Sequence, residues 1–178
     1  MTVAARPPSD AQAGTWVGHA RSAAYAVVAT TPSTTPAVRI EASCDEAPTS
    51  GDPLLLEQLV RNLVENAERY NLRHDGWVRV ATRSDAGGDA VLEVVNPGPP
   101  VAPDDLPGLF EPFRRLGGER TGDGTGSGLG LGLSIVRAVV GAHGGSVTLA
   151  ARPEGGLVVT VRLPGEVYDE VPASPRLG

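Results

Sequence analysis

Residues 52–71 read DPLLLEQLVRNLVENAERYN, and the reading of this run as one helix with two differently used faces decides the fold. Asp52 is suited to accept hydrogen bonds from free backbone N–H groups, and Pro53 fits the first helical turn, where its missing N–H costs nothing. Leu55, Leu56, Leu59, Leu63 and Ala67 recur at helical spacing and predict the stripe that meets a core. Asn62, Asn66, Arg69 and Tyr70 stand at i, i+4, i+7 and i+8, so two amides, a guanidinium and a phenol are expected together on a rigid element.

Working outward, Ala37–Ser43 alternates like a strand, and the TTPSTTP run before it breaks a weaker helical pattern over Trp16–Thr30. Residues 1–15 are rich in Pro, Ala and Ser without periodicity and are expected to form a disordered arm. On the other side, Asn71–Gly76 predicts a turn. Trp77–Arg83 and Ala90–Asn96 alternate and flank a Gly-Gly loop, which predicts an antiparallel hairpin. The proline-rich NPGPPVAPDD is read as irregular, and Leu106–Phe113 leads into RRLGGERTGDGTGSG, whose glycine content fits a substrate-covering lid. LGLGLSIVRAVVGAHGG then predicts a helix with Leu131, Ile135, Val139 and Val140 as apolar positions and Gly144–Gly145 as its stop. Ser146–Ala151 and Leu157–Leu163 form a second hairpin, and Gly165–Gly178 reads as a disordered tail. This order implies an α+β fold: a two-layer α/β sandwich with a mixed, mostly antiparallel sheet covered on one face by helices. The expected division is an arm with a short helix over 1–36, a domain over 37–164 and a tail over 165–178.

Composition narrows the function. At 178 residues the chain has room for one domain whose core needs no disulfide or metal, and its single Cys44 excludes an internal disulfide framework. A net charge of −6 and a pI near 5.0, with no Lys/Arg cluster, argue against a nucleic-acid surface. No apolar run reaches the ~18 residues of a bilayer span and no signal-peptide core is seen, so no membrane contact and a cytoplasmic setting are expected.

Gly128, Gly130 and Gly132 alternate with Leu129 and Leu131 at the entry to the second helix. Glycines there let backbone approach phosphate, and a helix N-terminus favours negative charge, although close helix packing explains such a run equally well. No Gly-Lys-Ser/Thr follows, so this is not a Walker loop. The paired amides of Asn62 and Asn66 are suited to complete the oxygen shell of a magnesium ion already held by nucleotide phosphates. Arg69 and Tyr70 fit phosphate and adenine contacts.

Together these residues resemble the catalytic and ATP-binding domain of bacterial sensor histidine kinases, in the superfamily that includes gyrase, Hsp90 and MutL. The likeness covers about Ala37 to Pro164 and rests on four ordered blocks: RNLVENAERYN (N box), NPGPP (first glycine box), FEPF (F box) and GLGLGLSIV followed by AHGG (second glycine box). It implies the Bergerat ATP-binding fold, with ATP and Mg2+ as cofactors. Asn66 would be the principal magnesium ligand with Asn62 beside it, Arg69 would reach phosphate and Tyr70 would pack on adenine. Gly98 belongs to the base-binding block, Phe110 and Phe113 would anchor a lid hinge, and Arg114 or Arg115 would touch the terminal phosphate. Gly128 to Gly132, with Leu129 and Leu131, would cradle the phosphates. Where most of the family has an aspartate accepting from the adenine amino group, this chain has Asn96, which keeps an acceptor, adds a donor and loses the charge.

The resemblance also implies a reaction. ATP-hydrolysing relatives carry a water-activating glutamate where this chain has Asn62, and an amide is no general base. Transfer of the γ-phosphoryl group to a histidine on a separate dimerisation domain, with relay to a response regulator, is therefore expected. His19 lacks the acidic and Arg-Thr-Pro neighbours of that histidine; His143 reads as a helix-end cap and His74 as a turn residue. The compartment implied is the cytoplasm, including the cytoplasmic portion of a membrane-bound sensor kinase. The alternative is a degenerate nucleotide-binding or anti-sigma-like partner switch that works by protein contact.

Overall fold

Period-two alternation gives five strands, and the structure, a computed structural model describing residues 38–114 and 130–165, joins them into one sheet. In chain order the elements are β1 (Val38–Cys44), α1 (Pro53–Arg69), β2 (Gly76–Ser84), β3 (Ala90–Asn96), α2 (Gly132–Ala142), β4 (Ser146–Ala151) and β5 (Leu157–Leu163). The sheet runs β1-β2-β3-β5-β4, with β1 parallel to β2 and every other pair antiparallel. A parallel neighbour needs a crossover, and α1 supplies it between β1 and β2. The mixed, mostly antiparallel sheet and the β2–β3 hairpin are as the sequence predicts.

In β2 the inward positions Val78, Val80 and Thr82 are buried while Arg79, Arg83 and Ser84 are exposed. Both helices pack on the inward face, where Val78, Val80, Leu92, Val94, Val159 and Val161 meet Leu56, Leu59, Leu63, Val64, Val136 and Val140 in one core. Each fully buried side chain of this size contributes about 2 kcal/mol.

α1 starts as its sequence dictates. The Asp52 carboxylate accepts from Leu54 N at 2.8 Å and from Leu55 N at 3.1 Å, and Pro53 occupies the first turn. Two apolar expectations need correction. Leu55 is 42% exposed and Ile135 37% exposed. The buried stripes are centred on Leu56–Val60–Leu63–Val64–Ala67 and on Val136–Val139–Val140, which leaves Leu55 and Ile135 on the rims.

α2 stops at a left-handed Gly144 (φ +69), with Gly145 N donating to Val140 O at 2.9 Å, a Schellman closure. At this end His143 links the helices. Its Nδ1 lies 2.7 Å from Val139 O and its Nε2 accepts from Asp52 N at 3.2 Å, so the proton sits on Nδ1. The proline stretch, expected to be irregular, ends in a short 3₁₀ turn, Pro103–Asp105, and a second, Pro107–Phe110, follows it, each begun by proline. Gly165, placed in the tail by its sequence, bridges to Thr49.

The helical pattern over 16–30, the arm, the rest of the tail, Arg115, Gly128 and Leu129 lie outside the described residues. Among the described residues no helix is long and apolar enough to cross a membrane.

Candidate functional site

The C-terminal half of α1 runs against the N-terminus of α2, and the contact depends on a missing side chain. A Cβ on Gly132 would fall 2.5 Å from Asn66 Nδ2, so only glycine lets the amide rest there. α2 begins without a side-chain cap at Leu131. The first-turn N–H groups of Gly132, Leu133 and Ser134 have no intrahelical acceptor, and they carry the positive end of the helix dipole. Nδ2 of Asn66 is buried and finds no partner among the described residues, and the same holds for Nδ2 of Asn62.

A cleft of about 40 Å³ opens here. Of the residues singled out in the sequence, Asn66, Tyr70, Arg114, Gly130 and Gly132 line it together; Leu133 of the second glycine box also lines it, with Leu109 and Leu157, which belong to none of the four blocks. Asn62 and Arg69 lie outside this lining. Asn62 is one turn back along α1 and 8% exposed, whereas Arg69 is exposed to solvent. Seven residues apart, Asn62 and Arg69 lie within about 20° of each other around α1, so their different burial follows position along the axis, Arg69 being the last residue of the helix.

Gly130 has a φ of +69 and lies so close to the Phe113 and Arg114 backbone that a side chain is excluded. Gly130 O accepts from Phe113 N at 3.0 Å. Phe113 itself is left-handed (φ +65) and 70% exposed, so it does not serve core packing. Phe110 is half-buried, with the Arg137 guanidinium 5.9 Å from its ring centre. The Arg114 guanidinium lies over Gly108 and donates to Glu111 Oε2 at 3.0 Å.

At the other end, Asn96 is 4% exposed and its Nδ2 donates to Pro97 O at 2.9 Å and to Tyr70 O at 3.5 Å. Carbonyls only accept, so this orientation is fixed and Oδ1 remains the acceptor. Gly98 passes so close to Tyr70 O that no Cβ fits. Asn71, the last residue of the N box, is structural: its Nδ2 donates to Ala67 O and Trp77 O, each at 2.9 Å.

Comparison with known proteins agrees with this geometry. The family model described as histidine kinase-, DNA gyrase B-, and HSP90-like ATPase matches residues 51–167. The chain belongs to this family. It is 49% identical over 127 residues to the sensor protein CutS of Streptomyces coelicolor, a match covering 71% of this chain and 30% of that protein. Among solved structures it is similar to the mycobacterial sensor histidine kinase MprB (TM-score 0.71, 25% identity, covering 83% of this chain and 95% of that one). It is also similar to full-length ShkA in complex with AMPPNP (TM-score 0.62, 25% identity, covering 82% of this chain and 29% of that one). The chain thus spans about a third of the length of such a curated relative, and corresponds to the catalytic, ATP-binding domain of sensor histidine kinases.

For a histidine-kinase-type domain the donor set fits magnesium held with a nucleotide. Among the described residues no group of three or more His, Cys, Asp or Glu stands together. An ion held here with a nucleotide would draw on amide oxygen, phosphate and water, the shell magnesium prefers when phosphates carry most of its ligands. Asn66 would offer such an ion its amide oxygen, Oδ1, while its orphaned Nδ2, a donor, is suited to a phosphate oxygen.

Proposed function

We propose that this domain binds Mg-ATP between α1 and α2 and positions it for transfer of the γ-phosphoryl group to a histidine on a separate dimerisation domain, from which a response regulator receives it. One observation carries the reading: the Asn66 amide, whose buried Nδ2 has no partner among the described residues, lies against the uncapped N-terminus of α2 at Gly132. Such a helix end favours phosphate, and the amide oxygen supplies a neutral ligand for its counter-ion.

Asn66 holds the ion with Asn62 behind it, and Gly130, Leu131 and Gly132 cradle the phosphates, continuing from Gly128 and Leu129. Tyr70 packs on adenine, and Asn96 Oδ1 accepts from the adenine amino group while its donor is consumed internally. Arg69 and Arg114 or Arg115 reach phosphate. The bound ion neutralises phosphate charge. The domain contributes position and electrostatics and no water-activating base, because an amide occupies position 62. The likeness to ShkA, solved with AMPPNP, supports nucleotide as the ligand.

Forty cubic ångströms holds water, not a nucleotide, whose pocket is typically several hundred. Binding therefore requires the cleft to widen, and Arg114, which lines it, is held by its pair with Glu111. The half-exposed Arg114–Glu111 pair resists this by at most about 1 kcal/mol.

Calorimetric titration with ATP, with and without magnesium, tests the site. The wild-type domain is expected to bind more tightly with magnesium, and Asn66→Ala to lose that increment, about tenfold or more. Equal affinity in the presence and absence of magnesium contradicts the assignment.

A further inference from the structure

Trp77, at the start of β2, has two guanidinium groups against its ring: Arg152 at 4.9 Å and Arg79 at 5.3 Å from the ring centre. The two differ in what else they hold. Arg79 is 57% exposed and, among the described residues, otherwise leans towards Glu41 at 3.8 Å. Arg152 is 19% exposed and belongs to the turn between β4 and β5. Its Nη1 donates to Gly155 O at 3.3 Å, and its backbone N–H donates to Gly156 O at 3.1 Å.

That turn closes on the segment following Asn96. Gly156 N donates to Pro99 O at 3.1 Å, and the backbone of Gly155 and Gly156 (φ +91 and +96) lies so close to Gly98 O and Asn96 O that neither admits a side chain. The β2–β3 register ends at Arg79 paired with Val95, which leaves Trp77 two residues before this pair on β2 and Pro97 two residues after it. Stacked on Trp77 and bonded to Gly155 O, the Arg152 guanidinium thus ties β2 to the glycine turn, whose backbone lies against Asn96–Pro99, while Gly98 packs against Tyr70 O.

We propose that Arg152 is a positioning residue for nucleobase recognition. By stacking on Trp77 and gripping the Gly155–Gly156 turn, it holds Asn96 and Gly98 in register with Tyr70. It touches neither base nor phosphate. The inference rests on the reading of Asn96 and Tyr70 as the base-contacting pair, and it predicts an effect confined to the base.

The test compares Mg-ATP with Mg-GTP binding by calorimetry in the wild-type chain, Arg152→Ala, Trp77→Leu and Arg79→Ala. Arg152→Ala is expected to weaken Mg-ATP about tenfold while the weaker Mg-GTP affinity stays, so that discrimination falls about tenfold. Trp77→Leu should repeat this through the other half of the stack, and Arg79→Ala should change nothing. Unchanged discrimination in both Arg152→Ala and Trp77→Leu overturns the proposal, whether the two affinities fall together, as general loosening would cause, or not at all. Failure of the underlying reading is distinguishable, because it appears as a wild-type chain that binds neither nucleotide.

Discussion

Asn96 shows how much one atom decides. Its Nδ2 donates to the carbonyls of Pro97 and Tyr70 inside the fold, which turns an amide into a fixed acceptor. An aspartate at this position would set a carboxylate against two carbonyl oxygens and leave both without a donor. Asn96→Asp is therefore expected to destabilise the domain by about 2 kcal/mol at neutral pH, with the penalty shrinking in acid as the carboxyl regains a proton to donate. Urea unfolding at neutral and acid pH measures it; equal or greater stability of the variant at neutral pH would show that the internal bonds are not what Asn96 supplies. Gly132 acts through the opposite device, the absence of a side chain where Asn66 needs room.

At the scale of elements, the β2–β3 hairpin carries the chain's one resolved shift in acidity among the described residues. Asp85 lies below the ordinary aspartate range because it accepts from Gly87 N, then from Asp89 N, with the Arg162 guanidinium nearby, and these outweigh desolvation. A carboxylate held lower in the folded state adds stability above its unfolded value and loses it as pH falls through the folded one. Asp85→Asn should accordingly flatten the fall in urea midpoint below about pH 4 and leave the slope above it unchanged; an acid limb as steep as in the wild type would contradict this. Elements with local signals were legible in the sequence: the Asp52 cap with Pro53, the Gly144 stop and the two hairpins follow from neighbouring residues. The pairing of β3 with β5 joins strands far apart in the chain, and no local pattern announces it. It is this pairing that sets Leu157 opposite Asn96 and brings the Arg152 turn to the first glycine box. Leu55 and Ile135 were misread for a related reason, since periodicity gives the direction of a stripe but not its width against a particular partner.

Across the whole molecule, a sheet covered by helices on one face places two helix ends together, the polar C-terminal half of α1 and the uncapped start of α2. On the proposed reading the domain positions ATP for transfer rather than hydrolysis, with the acceptor histidine on a separate domain. His143 has both ring nitrogens engaged between α1 and α2, and His74 sits exposed in the turn after α1. The central claim is that the phosphoryl group leaves for another domain. The direct measurement is transfer from Mg-[γ-32P]ATP with a helical dimerisation domain bearing the phosphoacceptor histidine, tethered to this chain by a flexible linker to raise its effective concentration. Acid-labile label is predicted on the tethered domain, absent when its histidine is replaced, with no phosphate released by this chain alone. Label on this chain's own histidines, or steady release of inorganic phosphate without the tethered domain, would contradict the account.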